Sequence, residues 1–192
     1  MKTRQLLLLT SALLVLSACA LSPQTVVVNP ELSMESSTTT KTPLSMSIDV
    51  GDPRSTNIIG QRGGIYKETS HIRTDDDMTA TLQRKLSGAF AQMGFSIMGS
   101  GEADVYLTVN TTKIQYMVIK DNVLNQIKID IELQGICQKN NQQFRRKYQV
   151  SRTKDIVKTP SMEENEELVN EAMAIALGNL LADKALLDFI NS

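Results

Sequence analysis

Between Ile127 and Cys137 the chain alternates without interruption. Ile127, Ile129, Ile131, Leu133, Gly135 and Cys137 fall on one side, and Lys128, Asp130, Glu132 and Gln134 on the other. A period of two is the geometry of a strand, and apolar side chains on one side alone describe a sheet with one face on a core and one in water. A strand of this kind needs a covering layer. Two segments have the period to supply it: Met78, Leu82, Leu86, Phe90 and Met93, and then Leu168, Ala172, Ile175, Ala176 and Leu180, each recur at helical spacing as a single stripe. One-sided strands and one-striped helices predict an α+β fold, a two-layer, mainly antiparallel sheet with both helices packed on one face.

The remaining elements fit around that frame. Leu44, Met46, Ile48 and Val50 alternate with Ser45, Ser47 and Asp49, and Gly51-Asp52-Pro53-Arg54 supplies the turn that ends this strand. Ile58-Ile59 begins a short strand, bent or bulged near Gly60, Gly63 and Gly64. The first helix is predicted over Thr74 to Gly94, with Asp75, Asp76 and Asp77 at its positive end as caps rather than a cation site, and Gly94 as the residue after its C-cap. Phe95 to Ile97 is a brief strand. Val105, Leu107 and Val109 alternate, the pattern slips at Thr111-Thr112, and it resumes from Ile114 to Ile119, which is the mark of a bulge or of a bent pair. Asp121-Asn122 and Lys139-Asn140-Asn141 read as turns, and Phe144, Tyr148 and Val150 return on a last strand. Arg146 falls on the apolar face of that strand, its stem packed and its head reaching water. Behind Pro160, Ser161 and Glu164 form a capping box, and Leu186, Leu187, Phe189 and Ile190 close the chain.

The first residues follow another logic. Lys2 and Arg4 precede an apolar run from Leu6 to Leu16, then Leu16-Ser17-Ala18-Cys19. This is the layout of an export signal: a basic start, a short apolar stretch, and small residues at the cut. The run is too short to span a bilayer core, which takes ~20 residues as a helix. Leu-Ser-Ala-Cys resembles the bacterial lipobox, in which cleavage before Cys19 is coupled to diacylglycerol on its thiol and acylation of its new amino group. The predicted organisation is a cleaved signal over residues 1–18, a lipidated N-terminus and flexible tether over 19–43, and one periplasmic domain over 44–192. Within that tether, Val26 to Val28 reads equally as linker or as an edge strand ended by Pro30. Residues 1–18 carry two bases and no acid, so their removal takes the net charge from −1 to −3. That balance argues against nucleic acid and against a polybasic membrane patch, leaving lipid as the only membrane anchor.

Chemistry is sparse. The chain has two cysteines, one histidine and no tryptophan. With Cys19 lipidated, Cys137 is unpaired and lies on the core side of its strand, so neither a disulfide nor a cysteine metal site is available. His71 is placed in a polar loop with no nucleophile beside it. Carboxylates are plentiful but fall on turns and helix starts. No catalytic residue, metal ligand or cofactor is assigned, and the chain is read as a non-enzyme. Two features are kept as interaction candidates. One is the turn of Asp52 and Arg54, with Arg54 projecting from an Asp–Arg pair. The other is Tyr106 with Tyr116, on the outer sheet face.

Taken together, the lipobox, the Thr/Val-rich strand after it, Asp52-x-Arg54 after the first domain strand, the helix ending in Met93-Gly94-Phe95 and the three-strand run before a C-terminal helix resemble the YajG-type lipoproteins of Gram-negative bacteria. The resemblance spans nearly the whole chain and implies an envelope lipoprotein. Ala20 after the lipidated cysteine, where no Asp stands, implies the periplasmic face of the outer membrane. The expected function is a non-enzymatic binding or accessory module whose partner is an envelope protein or a peptidoglycan-associated component. The alternative is a carrier of a small apolar or lipid ligand held between sheet and helices, where Met side chains adapt to shape.

Overall fold

The computed structural model describes residues 21–33, 44–63, 69–99, 101–120 and 124–192. Cys19 and its lipobox, most of the Ser/Thr-rich stretch before Pro43, Gly64 and the turn at Asp121-Asn122 lie outside the described residues. Within them the chain forms β1 (Gln24–Val26), β2 (Ser45–Gly51), β3 (Ile58–Gln61), β4 (His71–Thr74), α1 (Met78–Gln92), β5 (Ser96–Met98), β6 (Val105–Ile119), β7 (Asn125–Lys139), β8 (Gln142–Ile156), α2 (Met162–Leu181) and α3 (Lys184–Asn191). The three 15-residue strands β6, β7 and β8 make an antiparallel meander. It is closed at one turn by Asn140 and Asn141, both at positive φ, which is where asparagine is tolerated.

The α+β class stands; the mainly antiparallel sheet does not. All eight strands belong to one mixed sheet, in which β2 runs parallel to β6 and to β5, β1 runs parallel to β4, and β3 runs parallel to β6. Alternation within a strand says which face is buried but carries nothing about the direction of its neighbour. The direction is set here by the long connection from β2 to β6, which contains α1 and so has the length a parallel crossover needs.

The slip at Thr111-Thr112 is a bulge within one strand. Thr111 faces Leu133 and Lys113 faces Glu132, so Thr112 is the extra residue. Its hydroxyl bonds both the carbonyl and the carboxylate of Glu132. The insertion keeps Ile114 and Tyr116 on the core side, where they meet Ile131 and Ile129.

Among the described residues three helices, not two, cover the sheet. α1 packs on β2 and β5; α2 packs on β7, β8 and β1; and α3 touches β7. One continuous core lies beneath them. Fully buried Phe90, Leu86 and Leu133 are each worth ~1.5–3 kcal/mol of burial. α1 is shorter than Thr74 to Gly94 and is not capped by its Asp triplet: Asp77 takes the N-cap position without a side-chain bond. Asp75 is drawn away to accept the Val28 N–H at 2.8 Å. The other end is as expected. Gly94 adopts φ +97°, the Phe95 N–H reaches the Phe90 carbonyl, and the two rings meet edge-on at 5.6 Å, a complete Schellman motif with its apolar contact. Ser161 and Glu164 form the reciprocal capping box of α2. Ile175, assigned to the buried stripe of α2, is exposed; Val169, Met173 and Leu177 are buried in its place.

Val26 to Val28, open between linker and edge strand, are reached by a strand only at Val26: β1 spans Gln24–Val26, and Val27 and Val28 follow it. β1 pairs with β4, Val26 and Val28 are completely buried, and the backbone N–H of Val27 and of Asn29 donate to Glu166 and Asn170 of α2. His71 likewise sits in a strand, β4, paired with Gln61.

Candidate binding site

On one edge of β6 the sheet is interrupted. β2 pairs along Val105–Asn110 and stops; β3 meets the same edge only at Tyr116. Among the described residues no strand pairs Thr111 to Gln115 on that edge, although β7 pairs the other edge throughout. The approach at Tyr116 needs a glycine, since a Cβ on Gly60 would stand 2.0 Å from the Tyr116 carbonyl oxygen. Between the two contacts opens a cleft of about 600 Å³, walled by Arg54, Ser55, Thr56 and Ile58 on one side and by Thr112 to Met117 of β6 on the other.

Arg54 of the Asp52–Arg54 pair stands in one wall, but it does not project. Its Nε and Nη2 donate to the two Asp52 carboxylate oxygens, each at 2.7 Å, and Nη2 also reaches the Thr74 hydroxyl at 3.2 Å. Thr74 is itself buried and takes the Asn57 carbonyl through its N–H at 3.0 Å, so the 52–57 loop is fastened to the end of β4. A bidentate guanidinium–carboxylate pair fixes orientation as well as charge. The Arg54 side chain is 8 % exposed, and Nη1 has no hydrogen-bond partner. On the core side of the same β6 segment, the buried Thr111 hydroxyl is also without one. Both atoms are buried, so among the described residues the fold leaves two polar groups unsatisfied behind the interrupted edge.

The two tyrosines part company. Tyr106 is 41 % exposed on the outer face, as expected, and its hydroxyl accepts the Ala103 N–H at 3.0 Å. Tyr116 is buried, because the Thr112 bulge reverses the facing of every residue after it. Its hydroxyl donates to Asn165 at 2.9 Å, and the Asn165 and Gln24 amides stand 2.7 Å apart. With its amide oxygen turned to Arg62, Gln24 accepts from that guanidinium at 2.8 Å. This buried chain joins β1, β6, α2 and the residue that follows β3; burial pushes Tyr116 above its ordinary range and lowers Arg62. No sequence pattern marks it, since its members are scattered over more than 140 positions.

Cys137 is fully buried, as its strand position requires, and burial pushes its thiol up to about 12. A thiol so protonated is no nucleophile. Tyr148 and Arg146, both from β8, converge on Asp183 at 2.7 Å each, and Arg146 lies over the Phe144 ring. On the outer face, hydrogen bonds from Gln149, Lys147 and Thr112 hold the Glu132 carboxyl down to about 2. Asp130 is held below its usual value against a desolvation that would raise it, by bonds from Ser151, Lys128 and Lys113.

The molecule is therefore an α+β domain with a mixed eight-stranded sheet covered on one face by helices. Among the described residues no helix is long and apolar enough to cross a membrane. The model of a family described as uncharacterised lipoproteins matches residues 30–191, and the chain belongs to that family, as its resemblance implied. Among solved structures it is similar to protein XCC0632 of Xanthomonas campestris at 9 % identity, with a TM-score of 0.57 over 88 % of this chain and 97 % of that one. It is also similar to an uncharacterised protein at 11 % identity, with a TM-score of 0.52 over 84 % and 97 %. At these identities the likeness is one of fold. A minor lipoprotein of Acinetobacter baumannii is more distant in structure, with a TM-score of 0.42 at 11 % identity over 78 % of this chain and 92 % of that one. No curated protein matches the chain.

Proposed function

We propose that this lipoprotein is a non-enzymatic module, held by lipids on Cys19 to the periplasmic face of the outer membrane, that binds a segment of an envelope partner at the interrupted edge of β6. The interruption carries the reading: among the described residues, Thr111 to Gln115 lack a strand neighbour on one edge, beside an immobilised Asp52–Arg54 pair. An extended segment laid on an open strand edge gains main-chain hydrogen bonds, which is a general mode of peptide capture. Lipobox, family and Ala20 support the anchor and its membrane; a protonated core thiol and carboxylates committed to ladder bonds support binding over catalysis.

The test is a photocrosslinking residue at Ser55, in the cleft, compared with one at exposed Gln92 of α1, both in the full lipidated chain in native envelopes. A discrete adduct from Ser55 and none from Gln92 is expected. Equal adducts, or none from Ser55 in protein that is folded and membrane-bound, would overturn the cleft as the site.

The carrier reading keeps one observation in its favour. The space between sheet and helices is filled by the core, but an apolar groove of about 420 Å³ lies against the outer side of the helices, with Leu32, Met93, Ile175 and Leu181 in its walls. Native mass spectrometry of protein taken directly from envelopes, finding a bound lipid, would move the assignment there.

A further inference from the structure

One end of the molecule carries apolar side chains that the fold does not use. Ile119 is 40 % exposed, Leu124 41 %, Met162 43 % and Val157 92 %. All four lie at one end of the sheet. Ile119 lies opposite Gln126 and Asn125 opposite Ile156, so the end of β6, the start of β7 and the end of β8 are level, while Val157 follows directly and Met162 opens α2. Exposed Lys120, Lys154 and Lys158 stand at that end too. Asp155 and Glu163 are exposed at the same end, and Glu164 is tied into the capping box, so the lysines do not make a net positive field. Contact here would be apolar first.

The chain enters the fold at this same end. Gly60 pairs in parallel with Tyr116, which sets Arg62 level with Val118, one residue from Ile119. The Arg62 guanidinium donates to the Ser22 carbonyl, and Gln24 begins β1 beside the first turn of α2. Ser22 lies three residue steps beyond Cys19. Since an extended chain covers at most ~3.3–3.6 Å per residue, the anchored residue lies within about 11 Å of Ser22. No long tether intervenes between a lipid on Cys19 and the fold.

We propose that this end of the domain rests on the lipid leaflet that holds Cys19, with Ile119, Leu124, Val157 and Met162 at the boundary of headgroups and acyl chains and the lysine heads among the headgroups. The inference builds on the lipid anchor proposed above. Lysine suits such a margin because its stem tolerates an apolar contact while its ammonium stays wet. The β7–β8 turn at Asn140-Asn141, 15 residues up the strand, then stands ~50 Å from the leaflet at 3.3–3.4 Å per residue.

The experiment uses the full lipidated protein with Val157→Cys, labelled with an environment-sensitive fluorophore, and Asn141→Cys as its counterpart; buried Cys137 does not compete for label. Each is reconstituted in phosphatidylethanolamine–phosphatidylglycerol vesicles with and without brominated acyl chains, and flotation is scored on the same sample. A blue shift and bromine quenching at position 157, with neither at 141, is the expected result. Floating protein whose position 157 reports water overturns the apposition and leaves the anchor standing. Protein that does not float overturns the anchor and this inference with it. A label at 157 shielded from water yet not quenched by bromine means a second copy covers this end, which also overturns the proposal.

Discussion

Arg54 shows how one side chain can be right in chemistry and misplaced in direction. The sequence pairs it with Asp52, and the pair exists, but the fold turns the guanidinium inward against Thr74 and Met78. Removing it leaves the half-buried Asp52 without its two charge-assisted bonds, so Arg54→Ala is expected to cost ~1.5–3 kcal/mol, and Arg54→Lys part of that, because an ammonium cannot bond both oxygens in a plane. Urea unfolding measures both. A variant as stable as the parent that has lost its Ser55 adduct would instead place Arg54 in direct contact with the partner. Cys137 gives a second residue-scale test. A hydroxyl in its place has no partner in an apolar site, and Cys137→Ser should lose ~1–3 kcal/mol. The thiol also sets a pH window. It ionises near 9 when exposed but only at about 12 in the fold, so the unfolded state gains as pH rises from 9 toward 12. Stability falls through that window, and native protein should resist thiol reagents at neutral pH. Rapid modification of Cys137 in folded protein would contradict its burial.

At the scale of elements, the outer-face ladder carries the opposite pH dependence. Glu132 on β7 accepts from Gln149 and Lys147 of β8 and from Thr112 in the β6 bulge, which holds it at about 2 against an ordinary 4.5. A depressed carboxyl stabilises the fold above 4.5 and loses that contribution as pH falls toward 2. Glu132→Gln should therefore flatten the acid limb of the stability curve and lower stability at neutral pH; thermal melts from pH 2 to 7 would resolve it, and an unchanged acid limb would mean the ladder bonds are not formed. The ladder explains what could be read from the chain and what could not. Strong one-sided alternation made β7 legible, and the slip at Thr111-Thr112 announced the bulge, because both are local patterns. The capping box and Gly94 were local too. β4 was missed because only Ile72 and Thr74 are buried in a four-residue strand that ends one apolar pattern before another begins. Sheet direction, the interrupted β6 edge and the Gln24–Asn165 contact depend on which distant segments become neighbours, and no window of sequence holds that information.

For the whole molecule, the position of β1 decides how anchoring and folding relate. Had the first residues after Cys19 been free linker, the lipid and the domain would be independent, and the domain could sample a wide volume beneath the membrane. Instead Val26 and Val28 are core, and α2 receives the backbone of Val27 and Asn29 through Glu166 and Asn170. The fold holds its own entry strand without help from lipid. Placed behind an export signal that is cut without lipidation, Cys19→Ala is therefore expected to abolish lipidation and to release a folded protein to the soluble periplasmic fraction, its melting temperature within a degree or so of the lipid-free parent domain, because surface changes away from packed features stay within about 0.5 kcal/mol. Retention would fall away almost completely, since three acyl chains at ~0.8 kcal/mol per buried CH2 far outweigh four partly exposed apolar side chains. Membrane fractionation and a melt of the released protein check the two halves separately. A released protein that melts much earlier would mean that the lipid bears on β1 itself, and unchanged membrane retention would mean that Cys19 is not the anchor.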